Sequence, residues 1–134
     1  KQGNVFISVS NELKRDVIFI AKKLQDLGLK LFATKGTRKV LVSNGMDVEL
    51  VHKVGEGTPC IIDLIKANKL NLIINIPSGK KSQFDAKPIR STAVLYGIPC
   101  ITTLAGSQAA VNGIESVVQK DFEVFSIQEY IGLI

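Results

Sequence analysis

Short apolar runs alternate along the chain with longer stretches in which apolar residues return every three or four positions. Val5-Phe6-Ile7-Ser8-Val9 reads as a buried strand. Val17, Ile20, Ala21, Leu24 and Leu27 then fall at helical spacing, and Gly28 is placed to stop that helix as a left-handed cap. Leu29–Ala33 is a second strand. Thr37 is placed to cap a short helix that runs to Asn44 and ends at Gly45. Val48–Val51 is a third, short strand. After the loop Lys53-Val54-Gly55-Glu56-Gly57, Thr58 caps a helix with Pro59 at its first position, where a missing N–H costs nothing. Leu72–Ile76 is a fourth strand, apolar except for Asn75, and residues 77–86 form the longest polar loop. Ile89, Ala93 and Tyr96 share a helix face that ends at Gly97. Pro99–Thr102 is a fifth strand, and Val111, Ile114, Val117 and Val118 mark another helix. Val124–Phe125 reads as a last short strand, and Ser126-Ile127-Gln128-Glu129 as a capping box opening a terminal helix.

Near-continuous apolar strands joined by helices imply an α/β domain whose parallel sheet is covered on both faces. The 134 residues suit one such domain, residues 1–134, with no repeat, linker or low-complexity tract. The first residue is Lys1 rather than Met, so the chain is expected to be a fragment of a longer one, and Lys1-Gln2-Gly3-Asn4 does not resemble a signal peptide. No apolar run approaches the roughly 18 residues of a membrane span. Cys60 and Cys100 form no CxxC pair, sit in apolar surroundings and read as free core thiols, which favours the cytoplasm.

The net charge is +5, with Lys80, Lys81, Lys87 and Arg90 clustered around the single acid Asp85. This balance favours an anionic partner, although the run also suits a solvated helix face. With two tyrosines and no tryptophan, the chain is poorly supplied with stacking platforms for single strands, so a nucleic-acid partner is not expected.

Candidate chemistry collects at the predicted C-terminal ends of the strands, the edge where phosphate-bearing ligands bind in open α/β sheets. Ser8 with Lys14 follows the first strand, Thr34-Lys35-Gly36-Thr37 the second, and Lys53 the third. Gly36 lets the backbone approach an anion, and Thr37 offers a hydroxyl together with a helix N-terminus. A bare turn and N-cap would use the same residues. Asn75 interrupts an apolar strand at its end and suits either a turn before Pro77 or a contact to a base or sugar. Ser78, Gly79 and Asp85 are placed to close over a ligand, Asp85 accepting from a ribose hydroxyl.

Other motifs are incomplete. Gly55-Glu56-Gly57 lacks the third glycine of a dinucleotide fingerprint, and Gly79-Lys80-Lys81-Ser82 lacks the upstream glycine of a P-loop, Ile74 standing in its place. His52 is expected to face solvent and Asp63 to be a surface carboxylate. No Cys/His cluster has metal spacing, and no catalytic set stands out.

Four blocks in this order carry a family resemblance. They are Phe32-Ala33-Thr34-Lys35-Gly36-Thr37; His52 through Pro59; Ile74-Asn75-Ile76-Pro77-Ser78-Gly79-Lys80-Lys81; and Thr102-Thr103-Leu104-Ala105-Gly106. Together they resemble the C-terminal allosteric domain of the carbamoyl phosphate synthetase large subunit, a methylglyoxal-synthase-like domain. The resemblance implies a three-layer α/β/α fold with a five-stranded parallel sheet. It implies a regulatory role, without catalysis in this domain, in an ATP-dependent glutamine-hydrolysing ligase that serves pyrimidine and arginine synthesis. The effector would be a nucleoside monophosphate, UMP or IMP. Its phosphate would be held at positions matching Ser8, Lys14, Thr34, Thr37 and Lys53, and its base and ribose at those matching Asn75, Pro77, Ser78 and Asp85. Partners would be the remaining synthetase domains and a glutaminase small subunit, with ATP and Mg or Mn confined to the synthetase domains and no cofactor here. Three positions depart from the family pattern: Gly55 replaces a common histidine, Ala86 a frequent hydroxyl residue, and Ile101 an aspartate found in some ornithine-responsive members.

Two other classes fit parts of the pattern. One is a methylglyoxal-synthase-like lyase acting on a small phosphosugar, whose catalytic aspartate in a Gly-Gly-Asp loop is here replaced by Gly55-Glu56-Gly57. The other is an interaction module with a vestigial pocket, which Gly55 and Ala86 would suit.

Overall fold

A computed structural model describes residues 3–132, with side chains described outside 80–84 and 121–132. Strand β1 (Asn4–Val9) passes through a 3₁₀ turn (Asn11–Leu13) into helix α1 (Lys14–Asp26). Then follow β2 (Lys30–Ala33), α2 (Lys35–Ser43), β3 (Val48–Leu50), α3 (Ile61–Lys66), β4 (Leu72–Ile76), α4 (Lys80–Leu95), β5 (Cys100–Ile101) and α5 (Leu104–Gly132). The five strands are parallel in the order β3-β2-β1-β4-β5. The winding reverses at β1, so a crevice opens above the C-terminal ends of β1 and its neighbours.

Side-chain alternation along β1 explains the three layers. Val5, Ile7 and Val9 point to one face, where they pack with Val17, Ile20 and Leu24 of α1, Leu41 of α2 and Val111 of α5. Phe6 points to the other and packs with Ile61 and Ile65 of α3, Ile73 of β4 and Ala93 of α4. Both cores are built from residues of all the layers this chain supplies. Leu24 and Ile65 are fully buried, each worth about 1.5–3 kcal/mol of transfer free energy. Gly28, at φ +93°, ends α1 as the pattern predicts.

Several local expectations are corrected. The N-cap of α2 is Thr34, three residues before Thr37. Thr58 and Pro59 do not start α3; they form a cis peptide ahead of it, and Cys60 is the cap. Its backbone N–H donates to Asp63 Oδ2 at 3.0 Å, which holds the Asp63 carboxyl below its usual range. This explains the error: a carboxylate at the third helical position closes a capping box more firmly than the upstream threonine could. The polar loop 77–86 is cut short because α4 begins at Lys80, behind Gly79. The helix start was hidden because its first turn, Lys80-Lys81-Ser82-Gln83, carries no apolar residue to set a helical period. α5 spans Leu104–Gly132, including the positions of the expected strand at Val124–Phe125 and of the expected helix start at Ser126. Tyr96 is exposed as the C-cap of α4, not buried on its face, and Val117 and Val118 are exposed on α5. Both cysteines are free, as expected, but only half-buried; Cys100 packs against the second core and Cys60 lies outside both. Burial pushes the Cys100 thiol up from its ordinary pKa, against a smaller lowering by Arg90.

Candidate functional site

The crevice above β1 is a cleft of about 600 Å³. Eight of the nine residues that the sequence singles out line it: Ser8, Lys14, Thr34, Lys53, Asn75, Pro77, Ser78 and Asp85. They come from the ends of β1, β2 and β4, the start of α1, the loop after β3 and the body of α4.

Thr37 is the exception. It is buried behind the wall, and its Oγ1 accepts a hydrogen bond from the Val9 N–H at 3.2 Å. It therefore fastens the start of α2 to β1, beside the crevice that the N-cap Thr34 lines. The side chain of Thr34 does not cap α2. Its hydroxyl meets Ser8 Oγ at 3.1 Å instead. The backbone N–H groups of Lys35, Gly36 and Thr37, in the first turn of α2, thus lack a side-chain acceptor and form an anion-attracting terminus.

Two ammonium groups reinforce it. Lys14 Nζ donates to Val9 O at 3.1 Å and to Asn11 Oδ1 at 2.6 Å, both neutral acceptors. It reaches across the first turn of α2: a Cβ on Gly36 would come 3.3 Å from Lys14 Cε and 3.5 Å from Nζ. Gly36 leaves room for that approach. Burial holds the Lys14 pKa below its ordinary 10.5, and the nearby charge of Lys53 lowers it further. The described ion pairs are Lys22–Asp26, Lys23–Glu115 and Lys30–Glu49, so among the described residues neither cleft lysine is paired with a carboxylate. Two like charges and a helix N-terminus therefore share one end of the cleft, an arrangement that a bound anion would relieve.

The other end is different. Asn75 is only 6% exposed, and its Nδ2 has no hydrogen-bond partner among the described residues. Ser10, which sequence reasoning passed over, also lines the cleft with an unpartnered buried Oγ. The signal was there: Ser8 and Ser10 are two positions apart on an extended segment and so point the same way. Sequence reasoning also missed the apolar wall, made by Phe6, Ile61, Ala86 and Ile89. Glu56 and Asp85 contribute exposed carboxylates at the rim. His52 is not turned to solvent as expected; it is half-buried, with its ring against Gly57, where an added Cβ would lie 3.1 Å from Cγ. Among the described residues no His, Cys, Asp and Glu side chains gather as a metal site, and no helix is long and apolar enough to cross a membrane.

The family model for the MGS-like domain matches residues 16–102. The chain is 48% identical over 128 residues to the carbamoyl phosphate synthase large chain of Nostoc sp., and 46% identical over 130 residues to that of Archaeoglobus fulgidus. Each alignment covers 96% of this chain and 12% of the relative, so this chain spans about one eighth of their length. It is also 46% identical to the carbamoyl phosphate synthase large chain, C-terminal section, of Methanocaldococcus jannaschii, over 95% of this chain and 21% of that protein. The fold matches the crystal structure of methylglyoxal synthase from Elizabethkingia anophelis NUHP1 with a TM-score of 0.69, covering 82% of this chain and 77% of that one at 16% identity.

Proposed function

The chain belongs to the MGS-like domain family, and on that footing we propose that it is the effector-binding domain of a carbamoyl phosphate synthase large chain, controlled by a nucleoside monophosphate, UMP or IMP. The observation that carries this reading is that Lys14, which lies against the uncapped start of α2, and Lys53 line the same cleft, with no carboxylate paired to either among the described residues. The phosphate sits there, against Ser8 and Thr34. Ribose and base extend toward Asn75, Pro77, Ser78 and Asp85, along the apolar wall. Charge-assisted hydrogen bonds contribute roughly 1.5–3 kcal/mol each, so two or three reach micromolar affinity, about −8 kcal/mol.

In this reading the domain performs no chemistry. The ligase activity, with its ATP and Mg or Mn, belongs to synthetase domains elsewhere in the large chain, and glutamine hydrolysis to a small subunit. The assembly works in the cytoplasm and supplies the pyrimidine and arginine pathways. Control requires only that the effector bind one global state more tightly than another, with couplings typically of 1–3 kcal/mol.

Calorimetric titration tests the reading. UMP or IMP binds the chain, and Lys53→Ala weakens that binding about tenfold or more. Identical affinities in the two proteins remove the site. A thermal-shift screen of UMP, IMP, ornithine and N-acetylglutamate ranks the effectors, since each one that binds raises the melting temperature. The lyase alternative is decided by assaying the pure chain for methylglyoxal production from dihydroxyacetone phosphate.

A further inference from the structure

Ser10 Oγ and Asn75 Nδ2 are the two buried side-chain polar atoms without a hydrogen-bond partner among the described residues, and both belong to residues that line the same cleft. A buried polar group left unpaired costs about 1–3 kcal/mol. Two in one wall mark a place built to be completed by something else.

Both lie beside the phosphate cradle on its β4 side: Lys14 Nζ is held by Val9 O and Asn11 Oδ1, on either side of Ser10. Ser8 is tied to Thr34, on the β2 side, through its hydroxyl. Ser10 is tied to the β4 side, its N–H donating to Ile76 O at 3.0 Å. Asn75 is the register partner of Ser8, one strand over from the cradle, a step of about 4.8 Å between strands. That is the reach of a ribose from its own 5′-phosphate. A base lies farther out, where Ile61, Ala86 and Ile89 offer only apolar surface.

The donor chemistry narrows the ligand group. The Asn75 Nδ2 amide can only donate, whereas the Ser10 hydroxyl can donate and accept. Two adjacent hydroxyls satisfy both: one accepts from the amide and the other exchanges a hydrogen bond with the serine. We propose that Ser10, with Asn75, reads the vicinal diol of the sugar, so that the cleft selects ribonucleoside over 2′-deoxyribonucleoside monophosphates. This rests on the monophosphate reading of the cleft and adds to it a named specificity residue.

The test compares the wild-type chain with Ser10→Ala by calorimetric titration, using UMP with dUMP, IMP with dIMP, and inorganic phosphate as a probe of the cradle. Wild type prefers the ribonucleotide about tenfold, the worth of one hydrogen bond together with the penalty of leaving the serine unpaired. Ser10→Ala loses that preference by weakening the ribonucleotide alone, while phosphate affinity stays within twofold. Its melting temperature without ligand does not fall, because the removed hydroxyl holds nothing in the empty fold; a serine with a merely structural role would lower it. Retention of the preference in Ser10→Ala, or its absence in wild type, overturns the diol assignment and leaves the cradle intact. If wild type binds none of the four nucleotides, the monophosphate reading falls and the diol assignment falls with it.

Discussion

Gly36→Ala separates stability from ligand affinity at a single atom. Gly36 lies in the first turn of α2 and carries no positive φ, so alanine fits the backbone there. Replacing a helical glycine by alanine in a compatible conformation stabilises by about 0.4–1 kcal/mol, largely by restricting the unfolded chain. In a domain of this size that corresponds to a melting temperature about 2–4 °C higher. The new Cβ, however, arrives 3.3 Å from Lys14 Cε and 3.5 Å from Nζ. The end of Lys14 must give by a few tenths of an ångström, and the methyl group takes up space beside its ammonium that an anion would otherwise use. One charge-assisted contact is lost, about 1.5–3 kcal/mol, or a factor of about 10–150 in affinity. The variant therefore melts higher and binds UMP or IMP at least tenfold more weakly, which paired thermal melts and calorimetric titrations read directly. Unchanged affinity in a folded Gly36→Ala would refute the placement of the phosphate between Lys14 and α2.

Lys14 gives the unliganded chain a definite pH response. Its pKa lies below 10.5 in the fold, so between that lowered value and 10.5 the unfolded chain binds more protons and stability rises with pH. Urea melts across the alkaline range show this gain in wild type and not in Lys14→Met. Affinity for a phosphate ligand falls over the same window, because the anion needs the protonated amine. In Lys53→Ala, NMR titration of Lys14 finds its pKa moved up toward the ordinary value, since a like charge has been removed. Thr37→Val leaves the buried Val9 N–H without its acceptor and costs about 1–3 kcal/mol, read as a lower urea midpoint. Leu24→Ala, in the fully buried stripe of α1, costs about 2–5 kcal/mol by the same measurement.

Strands and long amphipathic helices were legible because they announce themselves by periodicity. The short apolar run 72–76, bounded by turn residues, reads as a strand and the spacing Val17-Ile20-Ala21-Leu24 as a helix, and both occur as expected. The parallel three-layer arrangement followed from strands buried on both faces. Helix starts were harder, because they depend on which polar side chain reaches which N–H. At Cys60 a carboxylate three residues later decided the cap, and at Thr34 the hydroxyl went to Ser8. The cleft was legible as a set of polar residues at strand ends. Its division into a cationic end and an unpartnered end was not, since that depends on which hydroxyls and amides found partners in the fold. Ser10 shows this best: its two-residue spacing from Ser8 places it on the same side, but only the fold shows that its Oγ lacks a partner.

The cleft straddles the crest of the central strand. α2 begins on its one flank and belongs to the layer that holds α1 and α5; α4 begins on the other and belongs to the layer with α3. A molecule seated across that crest would act as a crossbar between two outer shells that lie on opposite faces of the sheet. Occupancy can thus be felt on both sides of the domain at once, whichever side a neighbour rests against.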